Sequence, residues 1–432
     1  MVTSVSVSTS APWTPLPPAD AAALAIDDVA PRFRAQPTTP DELADFLLRA
    51  REENLVVAPR GGGTQLALGN PPTGLDLVVE TTALASVIEY EPADLTITVE
   101  AGLRFAELQR LLAEQGQVLP LDPPAAPGAT IGGIVATNAS GPLRLAFGTA
   151  RDLVLGCRVA NADGHLTRAG GRVVKNVAGY DLDKLYVGSL GTLGVLVELS
   201  FKLAPIPPAY GLVVGQFGDT ATAIACLQAV LHSTLSPLAV ELLEPAAARQ
   251  AGLPDGLSVV LRVGGYPRTV ERQVRDLTAL AHEHGGATVD ASDDVWHSVR
   301  DLGLPAPGRE VLVRGTAPLA ESANLVGLLS RQLADYNPLV WAHAGNGVAY
   351  AAFALADRDD AVPLRTALAD TRRQVTALGS NASFVVERCP ARLKHGFDVW
   401  GEVGPSLRLM QALKTQLDPR ATLNRGRYVG TI

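Results

Sequence analysis

Arg60-Gly61-Gly62-Gly63-Thr64-Gln65 and, further on, Pro127-Gly128-Ala129-Thr130-Ile131-Gly132-Gly133 decide the reading of this chain. The second stretch continues through Ala136-Thr137-Asn138-Ala139-Ser140-Gly141, and a third follows at Gly188-Ser189-Leu190-Gly191-Thr192-Leu193-Gly194-Val195. Consecutive glycines let main-chain N–H groups converge on phosphate oxygens with no Cβ in the way. One such loop is equally well explained as a tight turn. Three in order point to a long, phosphate-bearing cofactor held by backbone. Leu55-Val56-Val57-Ala58 reads as a short buried strand that delivers Arg60 and the first loop. There is no G-x-x-x-x-G-K-[ST], which argues against a P-loop NTPase. No G-x-G-x-x-G opens a helix after the first strand, which argues against a Rossmann site.

The chain has 432 residues, enough for two or three domains with substantial cores. Hydrophobic residues make up 47% and charged residues 19%, a balance that excludes a disordered chain. The net charge of −8 and the absence of a basic tract argue against nucleic acid as a partner. Cys157, Cys226 and Cys389 are far apart and form neither an iron–sulfur nor a zinc ligand set. Buried free thiols in a reducing compartment are the expectation, hence a cytoplasmic protein. No apolar run reaches transmembrane length. The first thirty residues lack the basic start and apolar core of a signal peptide and read as a mobile tail.

Periodicity places helices at 40–53 and 105–115, strands at 77–80 and 95–102, and a short helix at 131–137. Segments 153–160 and 165–168 flank Asp163-Gly164, a hairpin signal. A strand at 195–203 runs into Pro205-Ile206-Pro207-Pro208, where a domain boundary is expected. Beyond it, strands at 210–217 and 257–264 alternate with helices at 221–232 and 270–284, the order of an α+β domain. A helix at 407–417 precedes Asp418-Pro419 and Leu423-Asn424-Arg425-Gly426-Arg427.

Taken together, the arginine/glycine loop, P-G-x-T-I-G-G and G-S-x-G-T-L-G-V resemble the FAD-linked oxidases of the vanillyl-alcohol oxidase, or PCMH, type. The terminal L-D-P…N-R-G-R is similar to that family's L-D-P…N-P-G-R, with Arg425 in place of Pro. The resemblance implies an α+β fold: a two-subdomain PCMH-type FAD-binding domain, an α+β cap domain and a C-terminal segment returning to the FAD domain. The implied bounds are a tail at 1–30, the FAD-binding domain at 31–207, the cap at 208–400 and the returning segment at 401–432. The segment from Val174-Lys175-Asn176 to Asp183-Lys184-Leu185 is similar to the FAD-binding (E) subunit of bacterial glycolate oxidase. That likeness implies a D-2-hydroxyacid (glycolate) dehydrogenase complex with two partners, a larger related flavoprotein subunit and an iron–sulfur subunit. It also leaves open peripheral attachment to the inner membrane through a partner.

Residue by residue, the resemblance puts Arg60, Gly61, Gly62, Gly63, Thr64 and Gln65 at the FAD pyrophosphate. Pro127, Gly128, Thr130, Ile131, Gly132 and Gly133 run beside the ribityl chain and pyrophosphate. Thr137, Asn138, Ser140 and Gly141 continue that wall, while Gly191, Gly194 and Val195 approach the adenine. Relatives with covalent flavin often carry a His just after the first glycines; Thr64 and Gln65 stand here, so FAD is expected to be non-covalent. Relatives acting on D-2-hydroxyacids bind a divalent metal through H-x-G-D-G-N-x-H and a later E-H-G. Here His343 and Glu387 match, but Tyr350 and Arg388 stand at two histidine positions, so no metal is expected. Lys394 and Arg388 are candidates for a substrate carboxylate, with ordinary surface charge as the alternative. Tyr180 and Lys175 are candidates for the flavin edge, and no general base is assignable. Three functions stay open: a catalytic subunit of a hydroxyacid dehydrogenase complex, a self-sufficient FAD oxidoreductase, and an assembly subunit with structural FAD.

Overall fold

The computed structural model describes residues 13–124, 127–173, 180–355 and 361–432. Two small sheets build the N-terminal half. The first has the order Thr14–Pro15, Phe33–Ala35, Leu77–Glu80, Val57–Arg60, with the last three strands parallel. The second is antiparallel, in the order Val87–Glu91, Thr96–Glu100, Val195–Lys202, Val154–Ala160, Leu166–Gly170. The helix Pro40–Glu52 starts where Thr39 caps it: the Glu42 N–H donates to Thr39 Oγ1 at 3.1 Å. Its apolar stripe Leu43, Phe46, Leu47 and Ala50 is buried in a core cluster that takes residues from both sheets.

An eight-stranded antiparallel sheet carries the second half. Its order is Ala287–Val289, Ala209–Phe217, Leu257–Gly265, Ala239–Leu243, Leu339–His343, Val348–Phe353, Val311–Thr316, Ser383–Arg388. Strand alternation gives it two unlike faces. Val240, Leu242, Val313, Val340, Ala342, Ala351 and Val386 point to one face, which the helices Thr220–His232, Pro267–Glu283, Ser322–Gln332 and Ala361–Thr376 cover. The other face presents Trp341, His343, Tyr350, Arg314 and Glu387 toward the FAD-binding half. The architecture is α+β, with helices and sheets segregated as the pattern predicts.

The C-terminal segment returns to the first sheet. Val57 N–H donates to Thr422 O and Asn424 N–H to Val57 O, each at 2.8 Å, so the segment runs beside Val57–Arg60. Arg425, standing where a Pro was expected, reaches back to cap Ala421 O and Arg420 O and secures the turn with side-chain donors.

Residues 13–30 do not behave as a tail. Trp13 is buried, Thr14–Pro15 pairs with Phe33–Ala35, and Pro18–Ala23 is helical. Composition pointed the other way because Ala, Ser, Thr and Pro dominate the first thirty residues. Buried Trp13, Leu24 and Ile26, the strand pairing and the Asp27–Lys394 pair dock the segment. All three cysteines are buried and free, and burial pushes the Cys157 thiol up to about 12. Among the described residues, no helix is long and apolar enough to cross a membrane.

Candidate FAD and substrate site

The strand Val57–Arg60 ends in the first glycine loop, which lies against the second. A Cβ on Gly62 would overlap the carbonyl oxygen of Gly128, and Gly63 holds φ +71° beneath the Arg60 guanidinium. Thr130 caps the following helix, Ile131–Thr137, accepting from Gly133 N–H at 3.4 Å. Small residues along this helix let its backbone form one wall of a cleft.

Two adjoining cavities make up that cleft. The first, about 100 Å³, is lined by Arg60, Gly61, Gly62, Gly63, Thr64, Gln65, Thr130, Gly132, Gly133, Thr137, Gly191, Gly194 and Val195. The second, about 450 Å³, shares Gly63, Thr64, Gln65 and Thr137 with it and adds Asn138 and Ser140. The three glycine stretches therefore converge, although up to 135 residues separate Arg60 from Val195 in the chain. Four expected site residues line neither cavity: Pro127, Gly128, Ile131 and Gly141. Gly128 supports Gly62, Ile131 sits in the apolar core, and Gly141 packs against the Asp122 backbone.

The cleft also draws on residues outside the expected cofactor set. Leu66, Leu68, Leu190, Asn424 and Arg427 line the first cavity. Arg427 donates to Leu66 O and Leu68 O, so the C-terminal segment fixes the chain that leaves the first glycine loop. Among the described residues, five buried polar atoms along the cleft have no partner: Arg60 Nη1, Asn138 Oδ1, Asn424 Oδ1, Arg427 Nε and Arg388 Nε. Such atoms are costly unless a ligand satisfies them. A cationic donor at the glycine loop and acceptors beside it match a group with phosphates and a polar ring edge.

The second cavity is capped by the open face of the large sheet. Arg144, Arg300, Arg314 and Arg388 line it, against one carboxylate, Glu387. Arg314 Nε already pairs with that carboxylate at 2.5 Å. Burial opposes the Arg314 charge, but Glu387 outweighs it and holds the guanidinium pKa above its ordinary value. Arg300 is held by Asp301, while Arg144 donates to Ser140 Oγ at 3.2 Å. Arg388 donates to Gly303 O and Arg309 O, and burial pulls its pKa down. The wall is cationic and suits an anion.

His343 lies on this wall, buried, with Nδ1 2.7 Å from Glu241 Oε2 on the next strand. Tyr350 meets its ring edge-on at 5.3 Å and stacks on Trp341 at 5.2 Å. Burial, with Glu387 beside it, raises the Tyr350 hydroxyl pKa well above its ordinary value. Glu241 escaped the sequence reading, although a carboxylate inside Ala239-Val240-Glu241-Leu242-Leu243 is a visible anomaly. Among the described residues, no three His, Cys, Asp or Glu side chains are grouped to hold a metal ion.

Two candidates move elsewhere. Lys394 is neither surface charge nor cavity wall; it is buried against Asp27. Tyr180 is 88% exposed and lines neither cavity. Lys175 lies outside the described residues.

The FAD binding domain family matches residues 31–170, which agrees with the cleft's construction and identifies its cofactor as FAD. Over most of its length the chain is similar to glycolate oxidase subunit GlcD of Bacillus subtilis, 27% identical, covering 93% of this chain and 90% of that protein. Mitochondrial D-lactate dehydrogenase [cytochrome] of Arabidopsis thaliana is 29% identical over 72% of this chain and 58% of that protein. Glycolate oxidase subunit GlcE of Escherichia coli is 43% identical over a shorter stretch, 35% of this chain and 43% of that protein. Among solved structures, p-cresol methylhydroxylase with substrate bound superposes with TM-score 0.70 at 17% identity, covering 92% of this chain and 89% of that one. That likeness shows the PCMH-type fold.

Proposed function

We propose that this chain, an FAD-dependent oxidoreductase related to glycolate oxidase subunits and D-lactate dehydrogenases, is the FAD-binding subunit of a 2-hydroxyacid dehydrogenase complex of the glycolate type. One observation carries the substrate class: the arginine-rich wall of the 450 Å³ cavity, which adjoins the glycine-loop cleft. A small hydroxyacid has a carboxylate for such a wall and a hydroxyl-bearing carbon to turn toward the cofactor. When bound, FAD supplies the acceptor for two electrons and a hydrogen from that carbon.

This chain's residues do the remaining work. Arg60 and the loop Gly61, Gly62, Gly63 hold the pyrophosphate, and Gly191, Gly194 and Val195 pack the adenine end. Arg144 and Arg388 take the substrate carboxylate, while Arg314 stays committed to Glu387. Trp341 and Trp400 exclude water from the cavity. FAD is held without a covalent bond, since Thr64 and Gln65 follow the first glycines.

The electrons leave for a partner. The local 43% identity to GlcE supports the subunit reading, and the three scattered cysteines leave any iron–sulfur cluster to another chain. The expected partners are a larger related flavoprotein subunit and an iron–sulfur subunit. The place is the cytoplasm, with attachment to the inner membrane through a partner. One observation favours a second reading, a self-sufficient oxidoreductase: this chain carries both the glycine loops of the cleft and the arginine wall that adjoins them.

Binding of oxalate, an unreactive carboxylate, tests the wall. Titrated into the FAD-loaded protein, it should perturb the flavin spectrum. Arg144→Met and Arg388→Met should each weaken that binding at least tenfold. Unchanged binding in both variants would refute the assignment of the wall.

A further inference from the structure

We infer that His343 is the proton acceptor for the substrate hydroxyl and that Glu241 is its positioning residue. The inference rests on the reading of the cavity as a hydroxyacid site. It starts from a buried pair on adjacent strands. Glu241 is fully buried, on a strand whose neighbouring residues are all apolar. A lone carboxylate there is costly. Its one side-chain partner is His343 Nδ1, at 2.7 Å, and its second oxygen, Oε1, has no partner among the described residues. The two residues sit directly opposite each other in the antiparallel register, so the pair is built into the sheet and does not depend on a loop.

The contact sets the tautomer. With Glu241 ionised, its carboxylate accepts from Nδ1–H, which leaves Nε2 with a lone pair. The ring borders the cavity with its other faces fixed: Tyr350 meets it edge-on, and Trp341 stacks on Tyr350. In the reaction, the substrate O–H bond breaks and its proton passes to Nε2. The C2–H bond breaks and its hydrogen leaves with the electron pair to the bound FAD. The C2–O bond becomes the carbonyl of a 2-oxoacid. The substrate loses two electrons, FAD gains them, and His343 becomes an imidazolium beside the Glu241 carboxylate. In a buried site that charge pair forms where the carboxylate was underused beforehand.

Several charged or titratable groups act on the pair. Glu241 lies on one neighbouring strand and Tyr350 on the other. Arg144 comes from the short helix packed on the Ala239–Leu243 strand. Asp122 acts on the Glu241 side, and Arg314 with Glu387 acts through Tyr350. Arg314 is already neutralised by Glu387, so a positive His343 is not opposed by a free guanidinium from that direction.

The test uses the FAD-loaded full chain. Nitrogen-15 NMR of its histidines, with His343→Gln to assign the signal, should show Nδ1 protonated and Nε2 bare at neutral pH. Glu241→Leu, which removes the acceptor, should lower the Nδ1-protonated fraction of His343 while flavin content is kept. The opposite tautomer in the wild type, or an unchanged Nδ1-protonated fraction in Glu241→Leu, overturns the inference. In stopped flow, His343→Gln should slow flavin reduction by a reactive hydroxyacid about 10²- to 10⁴-fold, with oxalate affinity within a few-fold of wild type. A loss under tenfold in a variant that retains flavin overturns the role of His343 alone. A wild-type flavin that no 2-hydroxyacid reduces overturns the reading of the cavity, and the inference with it.

Discussion

Lys394 and Asp27 meet in the interior, at 2.8 Å and 3.0 Å from Nζ to the two carboxylate oxygens, across 367 residues of chain. The same ammonium donates to Ala67 O and Gly69 O, just past the first glycine loop. The N-terminal segment, the far end of the cap and the chain below the cofactor cleft are thus tied at one atom. Removing one member of a buried pair typically costs about 3–5 kcal/mol, because the other charge is left unpaired. Lys394→Met should lower the melting temperature markedly and weaken FAD binding together, while Asp27→Asn, which keeps a hydrogen-bond acceptor, should cost less. A Lys394→Met protein with wild-type melting and FAD titration would show that the tie is dispensable.

Gly62→Val should abolish FAD binding. The route is indirect: the added Cβ overlaps Gly128 O, so the two glycine loops must separate. Gly218→Ala, where an added Cβ meets nothing within 4 Å, serves as the control. Flavin absorbance per protein should vanish in the first and persist in the second. In the wild type, acid precipitation should leave the yellow colour in the supernatant, since Thr64 and Gln65 offer no histidine for a covalent link.

Chelation should not matter. His343 is engaged by Glu241, and Glu387 by Arg314, so the two matched positions of the metal motif already have other partners. Dialysis against EDTA should leave flavin reduction by hydroxyacid unchanged. A loss restored by zinc or manganese would contradict this account of the wall.

Asp122 gives a pH signature. Burial raises its carboxyl pKa well above the ordinary 3.8, against the opposing hydrogen bond from Leu143 N–H. A folded pKa above the unfolded one means its contribution to stability is fully present below the unfolded value, about pH 4, and is lost as pH rises through the folded value. Asp122→Asn has no such proton to lose. The melting advantage of wild type over the variant should therefore be largest at low pH and shrink toward neutrality. An advantage that grows with pH would reverse the assignment.

The glycine loops, the helix at Ile131–Thr137 and the alternating strands were legible because each is dictated locally, by glycine runs or by period-2 and period-3.6 patterns. Of the arginine wall only Arg388 was, as a candidate for the substrate carboxylate. Arg144, Arg300, Arg314 and Arg388 come from four separate segments, and only strand register brings Arg314 opposite Tyr350 and Glu241 opposite His343. Asn424 and Arg427 were seen as a terminal motif, but their place in the cleft depends on the long return of the chain to Val57. Lys394 misled because lysine is usually solvated, and its partner Asp27 sits in a stretch whose composition suggested no structure at all.

The central claim is that a 2-hydroxyacid reacts at the flavin of this chain. The most direct measurement is the anaerobic visible spectrum of the FAD-loaded protein before and after addition of glycolate and D-lactate, repeated with the partner subunits present. The account predicts that the flavin bands bleach with at least one of the two acids. Bands that persist with both acids, with FAD bound and partners supplied, would contradict it.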